Sequence, residues 1–103
     1  MFSVKYSNQA EIDLEEAISH IAKESVQNAL GYLKNYENKI DLLRLNPHMG
    51  VECKNKLIKR DCRVLVYESH IIIYQVDESL DKIFIIRMYH SSVDYANKFN
   101  KEE

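Results

Sequence analysis

Glycine and proline are scarce in this chain: Gly31, Gly50 and Pro47 are the whole supply in 103 residues. That scarcity excludes long irregular loops and predicts a chain dense in regular structure. It also excludes a glycine-rich phosphate-binding loop. Cysteine is limited to Cys53 and Cys62. One pair without companions is too little for a zinc site, so no metal or other cofactor is expected. A disulfide between the two stays open. No apolar run approaches the roughly 20 residues that span a bilayer. Met1-Phe2-Ser3-Val4-Lys5 enters a strand pattern at once, so no leader is expected. These readings together predict a cytoplasmic chain with reduced thiols. A basic excess is missing too. The formal net charge is −2, whereas a protein living on nucleic-acid phosphates usually carries clear positive charge.

What is present is enough for one ordinary core. The chain is 46% hydrophobic and 29% charged, which predicts a single domain over residues 1–103. Phe2, Val4 and Tyr6 alternate with polar residues, the period of a half-exposed strand. Asn8 offers an N-cap with Glu11 as its reciprocal partner. Leu14, Ala17, Ile18, Ile21 and Ala22 then fall at helical spacing, with acids opposite, and predict a helix over about 8–23. Ser25 caps a second helix, whose seam runs Ala29, Leu33, Tyr36, Ile40, Leu43. Asn46-Pro47 stops it, because proline cannot continue a helix.

Residues 48–59 form the one long connection, with Gly50 a natural turn residue and Leu57-Ile58 either a short strand or tucked under the sheet. Strands follow at about 62–67, 70–76 and 82–89, joined by Glu68-Ser69 and by Asp77–Asp81. Residues 94–100 predict a final helical turn, with 101–103 frayed. The class is α+β, ordered β-α-α-β-β-β: an antiparallel twisted sheet with an N-terminal helix hairpin on one face. The opposite face is expected to be open and available for function.

Charge is uneven along the chain. Lys54, Lys56, Lys59, Arg60 and Arg63 cluster against Asp61, while Glu11, Asp13, Glu15, Glu16 and Glu24 load the first helix. The basic cluster is either a solvated loop and strand edge or a local contact for an anion. Arg63 opens an apolar strand and Arg87 follows Ile83-Phe84-Ile85-Ile86. Each must find water, a partner or a ligand, and a guanidinium fork suits phosphate or carboxylate. His90 ends that last strand beside Arg87, Tyr89 and Tyr95, where it is either structural or an acid–base group. Asp94 is placed to cap the last turn and Tyr95 to pack back on the sheet. His20, His48 and His70 read as surface or turn residues. No nucleophile–base set can be assembled from spacing.

The order of these pieces resembles the RelE/ParE superfamily of small toxins from type II toxin–antitoxin modules, including plasmid-stabilisation modules. The resemblance is carried by Ala10-x-x-Asp13-Leu14 through Ile18 and Ile21, by Leu43-x-x-Asn46-Pro47-x-x-Gly50, and by Arg63-Val64-Leu65-Val66-Tyr67. Ile71-Ile72-Ile73-Tyr74-Gln75-Val76 and Ile83-Phe84-Ile85-Ile86-Arg87 ending in His90-x-x-x-Asp94-Tyr95 complete it. It covers nearly the whole chain and implies the same fold, a cognate antitoxin and hence a hetero-oligomer. It implies one of two activities. The RelE-like branch is a ribosome-dependent, metal-independent mRNA endonuclease (an mRNA interferase), for which Arg63, Arg87 and His90 would be the catalytic residues. The ParE-like branch inhibits DNA gyrase without a catalytic site of its own. The acidic balance, the lack of added basic residues in His90-Ser91-Ser92-Val93 and the long helix hairpin favour the ParE-like branch. A non-toxic interaction module is the third reading. Contacts to target or antitoxin are expected at Arg63, Arg87, His90, Tyr95, Tyr32 and Tyr36, the last two on the outer face of the helix pair.

Overall fold

In the computed structural model, which describes residues 1–102, the chain runs β1 (Ser3–Tyr6), α1 (Asn8–Glu24), α2 (Val26–Leu45), β2 (Val51–Glu52), a 3-10 turn (Cys53–Lys56), β3 (Arg63–Tyr67), β4 (His70–Asp77), β5 (Lys82–His90) and α3 (Tyr95–Lys101). The class is α+β, with the two long helices preceding a run of strands. The sheet has five strands in the order β1-β5-β4-β3-β2. The β2-β3, β3-β4 and β4-β5 pairs are antiparallel, as short links between successive strands require. β1 joins the edge of β5 in parallel, Ser3 opposite Lys82 and Tyr6 opposite Ile85. The long chain between them, both helices and three strands, allows that parallel seat, which a hairpin loop cannot make.

Ser7, rather than Asn8, caps α1. Its backbone is extended (φ −67°, ψ 159°). Its Oγ accepts the Ala10 N–H at 3.0 Å and donates to the Ile86 carbonyl at 2.6 Å. One hydroxyl thus ends β1, starts α1 and ties both to β5. Ser25 caps α2 by accepting from Asn28 N–H at 3.1 Å, as its position predicts. Ala29, Tyr36, Ile40 and Leu43 are the buried residues of α2. Tyr36, Ile40 and Leu43 meet Leu65, Tyr67, Ile72, Tyr74, Ile83, Ile85 and Met88 from the sheet in the main core.

The other face of the sheet is not open. Cys53, Ile58, Cys62, Val64, Ile71, Ile73, Tyr89 and Phe99 form a second core there, with Val93, Tyr95 and Ala96 packed against it. The cover is made by α3 and the 53–62 connection. The short extra strand lies at Val51–Glu52 instead of Leu57-Ile58. Ile58 is 3% exposed and tucks under the sheet; Leu57 is 85% exposed and points out. Cys53 and Cys62 are joined by a disulfide, against the expectation of reduced thiols. The β2-β3 pairing sets their Cα atoms 5.2 Å apart, within the reach of such a bond. Of the residues expected to fray, Lys101 belongs to α3 and Glu102 is held by Tyr89 at 2.6 Å; Glu103 lies outside the described residues.

Gly50 is fixed by contact. A Cβ there would stand 2.7 Å from the Tyr74 hydroxyl and 2.8 Å from the Val64 carbonyl. The Tyr74 hydroxyl accepts the Gly50 N–H at 2.9 Å and donates to the Pro47 carbonyl at 2.8 Å. The helix exit read from Asn46-Pro47 is therefore pinned to the centre of the sheet.

Candidate functional site

Three candidate positions lie on two strands, and the sheet sends them to different places. Arg63 opens β3. Its Nη1 donates to the Gly50 carbonyl at 2.8 Å and the His48 carbonyl at 3.1 Å, and its Nη2 lies 3.8 Å from Glu52. It borders an open cavity of about 570 Å³, lined also by Glu52, Asp61, Asp77, Glu78 and His48. Four carboxylates surround one guanidinium, and His48 is already paired with Glu78 at 2.5 Å. Such a lining disfavours phosphate, and the contacts Arg63 makes tie the start of β3 to residues 48–52.

Arg87 leans over the free edge of β5. Its Nε donates to Asp13 of α1 at 2.8 Å, its Nη2 to the same carboxylate at 3.3 Å, and its Nη1 to Glu102. The guanidinium also sits 4.5 Å from the centre of the Tyr89 ring. Burial would lower its pKa, but the Asp13 and Glu102 hydrogen bonds outweigh that and raise it. Asp13 serves the strand as well, accepting the Met88 N–H at 2.9 Å. The residue that sequence placed among the acids opposite the helix's apolar stripe is the anchor of α1 on the sheet.

His90 closes β5 and is exposed. Its Nδ1 accepts the Ser92 N–H at 3.1 Å and lies 2.7 Å from the Ser92 hydroxyl, so the neutral ring carries its proton on Nε2. His70 stands beside it, ring centres 5.4 Å apart and edge to face. An unbroken β4-β5 register would set His70 against Tyr89. Ile86, an extra residue bulged out where Ile73 meets Arg87 and Tyr74 meets Ile85, sets it against His90 instead. His20 of α1 joins them around a cavity of about 320 Å³ with Asp13 and Glu16. His70 is buried, not a surface residue. Its Nδ1 meets the Tyr32 hydroxyl at 2.7 Å. Burial first, then His90 and His20, lower its pKa. Sequence reasoning missed this cluster because its alignment depends on one bulged residue. Among the described residues no group of three or more His, Cys, Asp or Glu is arranged to hold a metal ion.

The tyrosines divide. Tyr32 is half-buried and packs edge-on to Tyr67 and His70 at 5.0 and 5.6 Å. Burial, the first of its causes, raises its pKa. Tyr36 is 2% exposed and bonds Tyr6 through their hydroxyls at 2.9 Å; it belongs to the core and not to an outer face. Tyr95 begins α3 and packs against the second core. Exposed apolar side chains on the two long helices lie elsewhere, at Ile12 of α1 and at Val26, Leu30, Leu42 and Leu45 of α2. Among the described residues Arg63 and His90 line different cavities, and Arg87 lines neither, although its partner Asp13 borders the one beside His90. No helix among the described residues is long and apolar enough to cross a membrane.

Comparison with known proteins agrees with this architecture. No curated protein sequence matches the chain. Among solved structures it is similar to a chain of the RelBE2 toxin–antitoxin complex from Mycobacterium tuberculosis, at 20% identity and a TM-score of 0.53, over 86% of this chain and 96% of that one. That likeness is one of fold. Residues 4–95 match the family described as the ParE toxin of the type II toxin–antitoxin system, parDE, so the strand–helix pair–sheet unit traced above belongs to a ParE-family toxin of a type II toxin–antitoxin system.

Proposed function

We propose that the protein arrests growth in the cytoplasm by inhibiting DNA gyrase through surface contact, without catalysing a reaction, and that a cognate antitoxin neutralises it. One observation supports this reading over RNA cleavage. Phosphodiester cleavage needs cations and an acid–base group converging on one phosphate. Arg87 is tied to Asp13 and Glu102, Arg63 to backbone carbonyls and Glu52, and among the described residues that line the cavity beside His90 neither arginine is found. The antitoxin is expected to cover exposed apolar surface, for which Val26, Leu30, Leu42 and Leu45 on α2 are the best-placed side chains.

The mRNA-endonuclease alternative has its own observation: His70 and His90 lie ring to ring in a cavity with His20. Two assays separate the readings. Purified protein is added to gyrase supercoiling reactions and, separately, to a translating ribosome system followed for mRNA cleavage. Blocked supercoiling with intact mRNA supports the gyrase reading; cleaved mRNA that is spared by His90→Ala overturns it. Expression alone, and beside the neighbouring reading frame, tests neutralisation. Absence of any growth defect would leave only the interaction-module reading.

A further inference from the structure

The second core carries on its outside a surface that neither arginine candidate uses. We propose that the disulfide-closed 54–61 loop and the adjoining α3 form a contact surface for the phosphate backbone of a nucleic acid. Residues 54–61 read Lys-Asn-Lys-Leu-Ile-Lys-Arg-Asp, four cations against one acid, in a chain whose net charge is −2. This is not a floppy solvated run. The Cys53–Cys62 bond closes it, the Cys53 N–H donates to the Cys62 carbonyl at 2.9 Å and the Ile58 N–H to the Cys53 carbonyl at 3.2 Å. Asn100 of α3 clamps its far side, accepting the Lys59 N–H and donating to the Leu57 carbonyl, both at 3.0 Å. Arg60 lies 5.0 Å over the Phe99 ring. The helix that holds the loop adds Lys98 and Lys101 in its last turn.

Holding a cationic segment in one shape removes the entropy that a loose lysine run would lose on binding. Lys54 is partly offset by Glu52 at 3.0 Å. Among the described residues Lys56 and Lys59 have no carboxylate within ion-pair distance, and both are exposed. Charge complementarity favours a polyanion. The choice of nucleic acid over an anionic bilayer follows from the ratio of charge to apolar tip. Leu57 alone protrudes while Ile58 is buried, so the loop offers cations on two elements but a single side chain to insert.

The test uses the full chain with its disulfide intact and does not depend on toxicity. Binding to a fluorescent random-sequence 20-base-pair duplex, of DNA and of RNA, is measured by anisotropy from low to physiological salt. The expected result is binding whose salt slope falls by about 2 in Lys56→Ala/Lys59→Ala, with affinity about tenfold or more weaker at 0.1 M salt, as two lost phosphate contacts require. A charge-matched control, Lys23→Ala/Lys34→Ala on the helix hairpin, is expected to bind as the parent does. Equal loss in the control, no loss in the loop variant, or no duplex binding by the parent would each overturn the assignment. Binding to vesicles containing an anionic phospholipid but to neither duplex would overturn it in favour of a membrane contact.

Discussion

Arg87 of β5 and Asp13 of α1 meet at 2.8 Å with side chains only 17% and 7% exposed. The same Asp13 carboxylate closes the open edge of β5 by accepting the Met88 N–H. The pair is a joint between the first helix and the last long strand, largely out of water.

Removing one partner of such a pair strands the other. Asp13→Ala is expected to destabilise the fold by about 3–5 kcal/mol, since it leaves Arg87 without its main partner and the Met88 N–H unpaired. Arg87→Met is expected to cost less, because Asp13 keeps its backbone donor. Urea unfolding of both variants checks the ranking; equal midpoints for parent and Asp13→Ala would refute the joint. A consequence for function is that lost toxicity in an Arg87 variant reports folding as well as contact, so stability must be measured beside it.

Gly50→Ala is expected to destabilise by about 1–3 kcal/mol, because the added Cβ meets the Tyr74 hydroxyl at 2.7 Å and a backbone oxygen at 2.8 Å. Tyr74→Phe in the same background is expected to restore part of the loss by removing one of the two obstacles. A parent-like unfolding midpoint for Gly50→Ala would show that the helix exit shifts freely.

Acid should loosen the Tyr32–His70 contact. The buried His70 has a folded pKa below its ordinary value of about 6.5. Its contribution is therefore fully present above pH 6.5. It is lost as pH falls from there through the folded pKa, because the unfolded chain takes up the proton first. His70→Gln is expected to be less stable than the parent at pH 7.5 and to show a flatter stability profile between pH 7 and 5. A parallel pair of profiles would remove His70 from the acid response.

Reduction of Cys53–Cys62 is expected to cost about 2–3 kcal/mol by the chain-entropy argument for a short loop. Ellman titration before and after dithiothreitol, with urea unfolding of each form, measures it. Retention of the same midpoint after full reduction would place the order of the loop entirely on Ile58 and Asn100.

The helix seam and the β3-β4-β5 run were legible because periodicity and short links specify them locally. Arg63 and Arg87 were recognisable as charges in need of partners. The partners themselves were not, since Asp13 is 74 positions from Arg87 and sits among acids that share its helix. The His70–His90 contact hid behind a single bulged residue, Ile86. The parallel seat of β1 follows from pairing between distant segments, Ser3–Tyr6 with Lys82–Ile85, and no local pattern announces it; the disulfide spans only nine positions but depends on the β2-β3 pairing that brings its two ends together. Tyr36 was misread because an a/d seam does not say which tyrosine hydroxyl has a buried acceptor waiting.

Ser7 reaches Ile86 across 79 positions. A ribosome therefore releases both long helices well before the strand to which the cap of α1 is tied. Until that strand arrives, the hairpin's apolar stripe has no lasting cover, and the rate of assembly is governed by the closing of one very wide loop. Nascent chains stalled short of β5 should be inert and prone to degradation, a built-in delay between synthesis and harm.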